Sequence, residues 1–257
     1  MNFIDTHTHL FASEFDNDID IVIKNALNNR ISKMLLPNID STTTTKMLQL
    51  CDKFPKICYP MIGLHPCSVK KDNLEKEISH VEQMLSQNKF IAIGEIGLDL
   101  YWDKSTLNYQ KIAFESQIEL AKKHHLPIVI HVRDSFNEAI KIVERLNDDN
   151  LSGVFHCFTG NVKEAERIIN LNKFYLGIGG VVTFKNGGIN KIINQVSLDS
   201  IILETDSPYL TPSPFRGTRN ESKYLLNIAN KMADLFNVDV KEIAKKTTKN
   251  AIDLFHL

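Results

Sequence analysis

Short runs of apolar and β-branched residues recur along the chain, separated by longer stretches in which apolar residues return every three or four positions. The short runs are Phe3–Asp5, Lys33–Pro37, Cys58–Ile62, Phe90–Gly94, Pro127–Ile130, Gly153–Phe155, Phe174–Ile178 and Ser200–Leu203. The longer stretches, such as Asn108–His124 and Ser135–Leu146, have the spacing of helices that lay one apolar face on a sheet. Strands alternating with covering helices pair in parallel, because each crossover needs a connection long enough to hold a helix. Eight such units predict a (β/α)8 TIM barrel as one domain over residues 1–257, with Ser222–Leu257 forming further helices packed outside it. An open doubly wound sheet would normally carry a glycine-rich phosphate loop after its first strand, where this chain has Thr6-His7-Thr8-His9.

With 257 residues, 43% of them hydrophobic, the chain can bury one large core. Lys and Arg total 30 against 31 for Asp and Glu, a net charge of -1, which excludes the broad basic face of a protein that coats duplex DNA. Any contact with nucleic acid is therefore local. The four cysteines form no CxxC pair and the chain opens without a secretion signal, so a reduced, cytoplasmic setting without disulfides is expected. No apolar run approaches the roughly 20 residues that span a bilayer, so no membrane partner is expected.

In a barrel, function collects at the C-terminal ends of the strands. The first run leads into His7 and His9, the third into His65, the fourth into Glu95 and Asp99, and the fifth into His131 and Arg133. The sixth leads into His156 and the eighth into Glu204 and Asp206. His7 and His9, one residue apart, leave the same face of a strand and can grip one ion together; two polar residues ending an edge strand is the plainer alternative. Strand ends far apart in sequence nevertheless deliver five of the nine histidines to one predicted mouth, whereas His80, His124, His125 and His256 fall in helices or at the chain end and are read as surface residues. Four imidazoles (His7, His9, His131, His156) with two acids (Glu95, Asp206) exceed the needs of one tetrahedral ion. They predict two neighbouring divalent ions bridged by the Glu95 carboxylate. Mixed imidazole and carboxylate donors leave Mg²⁺, Mn²⁺ and Zn²⁺ all open.

The strings DTHTHL, GLHP, GEIGLD, HVR, HCFTG, ETDSPYL and PFRGTRNE, in this order over essentially the whole chain, resemble the TatD family of metal-dependent deoxyribonucleases. The resemblance implies a metal-dependent barrel with ligands at the positions matching His7, His9, Glu95, His131, His156 and Asp206. Ser222 stands where members commonly carry Pro, which concerns only the shape of that loop.

On that basis one ion is expected on His7, His9 and Asp206, the other on His131 and His156, with Glu95 between them. Asp206 is expected to orient the attacking water or accept its proton, and His65 to assist the leaving group or hold phosphate. Arg133 and Arg216 are the expected phosphate contacts, with Arg219 divided between that role and a solvated loop. Tyr101 and Trp102 are placed to stack on a base or to bury against the rim. Asp99 is expected to orient a ligand, Cys157 to pack away from the site, and Gly177, Gly179 and Gly180 to cradle phosphate or pack tightly.

The expected activity is hydrolysis of single-stranded DNA or DNA ends, with RNA as a further polymer, from the 3′ end as the family resemblance suggests. Two other readings use the same residues: an amidohydrolase or deaminase acting on a small substrate, and a non-catalytic metal-containing nucleic-acid-binding protein. Glu95 and Arg133 favour a phosphate substrate over the first, and the intact ligand set speaks against the second.

Overall fold

The computed structural model describes residues 2–257. Its strands are β1 (Phe3–Asp5), β2 (Ile31–Leu36), β3 (Cys58–Pro60), β4 (Ile93–Asp99), β5 (Ile128–Arg133), β6 (Gly153–Phe155), β7 (Phe174–Ile178) and β8 (Ile201–Leu203). The helices are α1 (Ile19–Asn28), α2 (Thr44–Lys53), α3 (Leu74–Gln87), α4 (Leu107–His124), α5 (Phe136–Leu146), α6 (Val162–Ile169), α7 (Leu225–Phe236) and α8 (Val240–Phe255).

All the strand pairs are parallel, in two arcs ordered β1-β2-β3 and β4-β5-β6-β7-β8. The arcs join at both seams. Beyond β3, Ile62 bridges to Ile93, and Gly94 N–H donates to Ile62 O at 2.9 Å. Between β8 and β1, Thr6 N–H donates to Leu203 O at 3.1 Å, and Thr8 bridges to Ser207. The sheet thus closes into the expected (β/α)8 barrel.

Alternation along the strands sorts the core into two layers. Ile4, Leu35, Met61, Ala92, Val129, Val154 and Ile202 form one buried cluster inside the barrel. Their neighbours Phe3, Met34, Leu36, Ile128, Ile130, Phe155, Ile201 and Leu203 belong to the larger cluster between strands and helices. The same two-residue period carries the inward direction from Val129 to His131, from Val154 to His156 and from Ile202 to Glu204. The hydrophobic layer is therefore the floor of the site.

Several sequence expectations shift. The second and fifth strands move to Ile31–Leu36 and Ile128–Arg133, and the fourth starts at Ile93 rather than Phe90 and runs on to Asp99, its register against β5 shifting between Ile93 and Ile96. The seventh unit has short 3₁₀ turns at Gly180–Thr183, Ile189–Lys191 and Ile193–Gln195 in place of an α-helix. Its Asn186-Gly187-Gly188 stretch disfavours helix, and Gly188 adopts φ 73°. The end of α8 does more than pack outside: Ala251, Leu254 and Phe255 join the inner cluster and close the barrel beneath its floor. Among the described residues no helix is long and apolar enough to cross a membrane.

Candidate metal centre

β1 ends by delivering His7 and His9, both buried, to the upper end of the barrel. Their Nε2 atoms lie 3.3 Å apart, and Glu95 Oε2 is 3.1 Å from the first and 3.5 Å from the second. Asp206, beyond β8, brings Oδ1 to 3.7 Å from His7 Nε2 and 3.5 Å from His9 Nε2. Asp206 adopts φ 57° in the turn after the strand, and its N–H donates to His7 O at 2.9 Å, locking the two ligand-bearing segments together.

Glu95 faces a second group with its other oxygen. Oε1 is 2.8 Å from His131 Nδ1, 2.8 Å from His156 Nε2 and 3.3 Å from His65 Nε2. The two imidazole nitrogens of His131 and His156 are 3.4 Å apart. One carboxylate thus divides its oxygens between two nitrogen-rich sets.

These atoms are lone-pair donors crowded in a nearly dry space, and crowding of that kind needs cations or protons to hold it. Four ligands at 2.0–2.1 Å from a tetrahedral centre stand about 3.3 Å from one another. The two imidazole nitrogens stand 3.3 Å from each other and 3.1 to 3.7 Å from Glu95 Oε2 and Asp206 Oδ1, close to that figure. The residues present fit divalent metal, and within the second set His65 adds a third nitrogen near the shared carboxylate.

The surrounding charges agree. Burial would raise the Glu95 carboxyl, but His156, His65 and His7, with the His131 hydrogen bond, hold it well below the ordinary range. Burial opposes ionisation of Asp206 too, and the histidines His9, His7 and His156 overcome it, lowering its pKa. Burial lowers His7 and His65, whereas in His156 the Glu95 and Glu204 carboxylates outweigh burial and raise the pKa well above the usual value.

A supporting layer orients the ligands. His131 Nε2 lies 2.9 Å from Asp99 Oδ2, so an N–H there leaves the Nδ1 lone pair for a cation. Burial would raise Asp99, but the His131 bond and the backbone N–H groups of Trp102 and Tyr101 bring it down to about 2. Glu204 lies 3.4 Å from His156 Nδ1 and accepts the Cys157 N–H at 2.5 Å. Sequence reading gave Glu204 no role, although its two-residue offset from Ile202 marked it as inward-facing.

Close packing of glycine lets these strands approach. Gly97 has φ 136°, and a Cβ there would lie 2.1 Å from His131 O. A Cβ on Gly177 would lie 2.4 Å from Glu204 Oε2, and one on Gly180 would lie 2.1 Å from Leu210 O, which favours tight packing of this segment over phosphate binding.

The site opens into a cavity of about 660 Å³ lined by His9, His65, Glu95, His131, His156 and Asp206 together with Arg133, Trp102 and Tyr209. Arg133 is its one Lys or Arg. Arg216 is not brought there: its guanidinium lies 3.9 Å from the Phe184 ring centroid and donates to Thr211 O. Arg219 pairs with Asp18 at 2.7 Å and Glu221 at 3.1 Å, tying loops together. Cys157, expected to pack away, lines the cavity, because β6 stops at Phe155 and Cys157 turns to φ 47°. Its thiol is pushed well above the usual pKa by burial and by Asp206 and Glu204, so it is a poor nucleophile.

Comparison with known proteins places this geometry. A family model described as TatD related DNase matches residues 4–256. The Bacillus subtilis (strain 168) protein named "Uncharacterized metal-dependent hydrolase YabD" is 38% identical over 254 residues, covering 98% of each chain. The crystal structure of YJJV, a TatD homolog from Escherichia coli, superposes with a TM-score of 0.89 at 27% identity, covering 99% of this chain and 98% of that one. A TatD family hydrolase from Entamoeba histolytica shares the fold with a TM-score of 0.88 at 22% identity, covering 99% of this chain and 98% of that one.

Proposed function

This chain belongs to the TatD family of metal-dependent hydrolases, and from that premise we propose that it is a deoxyribonuclease that shortens single-stranded DNA, or frayed DNA ends, from the 3′ end. The observation that carries the reading is the pairing of a carboxylate shared between two ligand sets with one unpaired arginine in the same cavity. A phosphodiester resists hydrolysis because its anion repels nucleophiles and its alkoxide leaves poorly. The reacting group of an amide or a ring amine carries no such anion for a guanidinium to meet.

His7, His9 and Asp206 would hold one divalent ion and His131 and His156 the other, with Glu95 contributing to each. Two such ions, when bound, lower the pKa of water towards neutrality and neutralise charge on the phosphate. Asp206, kept ionised by the surrounding histidines, is the carboxylate that would accept a proton from the attacking water. Arg133 offers a planar two-point contact to a phosphate oxygen pair. His65, whose Nδ1 accepts the Cys67 N–H at 3.1 Å, carries any proton on Nε2 and points it at the shared oxygen, where it can serve the leaving group.

A single Lys or Arg lining the cavity also bears on mode of attack. A continuous strand held on both sides of the cut needs a basic stripe, whereas a terminal nucleotide needs one pocket and one or two phosphate contacts. The test is a 5′-labelled single-stranded oligonucleotide followed over time with each metal ion, beside a closed single-stranded circle and an RNA of the same sequence. A ladder that shortens stepwise while the circle survives supports the reading. A circle cut as fast as the linear strand refutes the need for a free end.

A further inference from the structure

We propose that Trp102 is the stacking platform for one unpaired base of the strand being cut, while Tyr101 beside it serves only to hold Arg133 flat. The proposal rests on the nuclease reading and adds to it the part of the substrate that is recognised. The two aromatic neighbours are not equivalent. The Arg133 guanidinium carbon sits 3.7 Å from the Tyr101 ring centroid and 5.5 Å from that of Trp102, so one face of Tyr101 is already covered by the arginine. Tyr101 meets Trp102 edge to face, with centroids 4.9 Å apart and planes at 89°. Trp102 lines the cavity and Tyr101 does not. The indole is 70% exposed, the larger exposure of the pair.

The platform is fixed relative to the metal centre by one carboxylate. Asp99 Oδ1 accepts the backbone N–H groups of Tyr101 at 3.0 Å and Trp102 at 3.2 Å, while Oδ2 meets the ligand His131 at 2.9 Å. The indole and the candidate metal ligand therefore share an anchor, and the ring stands at a set offset from the reacting phosphate. The rest of the lining suits one nucleotide: a single cation for one phosphate, and Ile39, Val181 and Leu210 as apolar wall for a flat ring. A base inside a duplex has both faces occupied by its neighbours, so the indole can take only a base at the end of the stack or one that has left it.

Trp102 is the chain's only tryptophan, so its fluorescence reports on this position alone and without turnover. On the metal-loaded protein, thymidine or deoxyadenosine monophosphate is expected to quench it saturably, and deoxyribose 5-phosphate, which lacks a base, is not. Trp102→Ala is expected to raise KM on a single-stranded oligonucleotide by about 5- to 100-fold, with the loss falling on KM rather than kcat, and Trp102→Phe to raise it less. On a strand whose terminal nucleotides lack bases, wild type and Trp102→Ala should perform alike. Quenching by the nucleotide from a protein that cuts no oligonucleotide would keep the platform and remove the nuclease reading. Oligonucleotide hydrolysis with unchanged KM in Trp102→Ala, or equal quenching by the base-less sugar phosphate, would remove the platform and leave the nuclease reading standing.

Discussion

Replacing Asp99 by Asn keeps the shape of the side chain but removes its negative charge and puts a donor where His131 Nε2 meets an acceptor. Both backbone N–H groups of the aromatic loop are accepted by Oδ1, so an Asn oxygen can keep them, at 3.0 and 3.2 Å in the native side chain. The amide nitrogen then takes the place of Oδ2, 2.9 Å from His131 Nε2. A donor there favours the tautomer with its proton on Nδ1, the atom that faces Glu95 and is wanted as a lone pair. Metal affinity at that ligand should fall about 10- to 100-fold, or roughly 1.4–2.7 kcal/mol, with kcat/KM on oligonucleotides falling in parallel. Because the native carboxyl titrates at about 2, no part of the difference should depend on pH across the neutral range through Asp99 itself. Competition with a chromophoric chelator measures the affinity, and a melt by circular dichroism confirms that the buried site still folds. Affinity and kcat/KM within twofold of wild type would refute the claim that Asp99 sets the His131 tautomer.

Glu95→Gln keeps the shape but removes the charge shared by both ligand sets; turnover should vanish and metal analysis should find at least one ion fewer per chain, and full activity with unchanged metal content would sink the bridging role. Arg133→Lys should lower kcat/KM by about tenfold or more despite keeping the charge, since an ammonium neither lies flat on Tyr101 nor grips phosphate at two points, and an unchanged value would remove Arg133 from the site. The pH dependence of stability above pH 6.5 should disappear with metal. His156 and His131 have folded-state pKa values raised above 6.5 by their carboxylate neighbours, so in the metal-stripped protein the stability they confer is fully present below the unfolded value of 6.5 and is lost as pH rises through the raised ones. Above pH 6.5, where the lowered His7 and His65 no longer titrate, the stripped protein should melt lower as pH rises, and metal, which needs these imidazoles neutral and so releases protons on binding, should abolish that fall.

The parts of the molecule legible in the sequence are those set by short-range periodicity. Alternation placed the runs ending at Phe155 and Ile178 on their observed boundaries, and it carried His131 and His156 inward from Val129 and Val154. Glu204 obeys the same rule from Ile202 but was missed, because its partners, His156 Nδ1 and Cys157 N–H, are a strand away through β7 and invisible to local spacing. Cys157 was misassigned because alternation was continued past the point where β6 ends. The roles expected of Arg216 depended on a loop whose path is set by its own contacts, the Phe184 ring and Thr211 O, and side-chain type says nothing about that path. Nothing in the local sequence separates Tyr101 from Trp102; Arg133, arriving from β5, sits closer over the first, and the second lines the cavity.

The most direct test is stepwise reconstitution of metal-stripped protein, with bound ions counted per chain while the cleavage rate of a single-stranded DNA oligonucleotide is followed. A carboxylate that divides its oxygens between two nitrogen-rich sets predicts a rate that stays near background through the first equivalent and climbs with the second, ending at two ions per chain. A full rate at one ion per chain, or intact DNA with two ions bound, would contradict it.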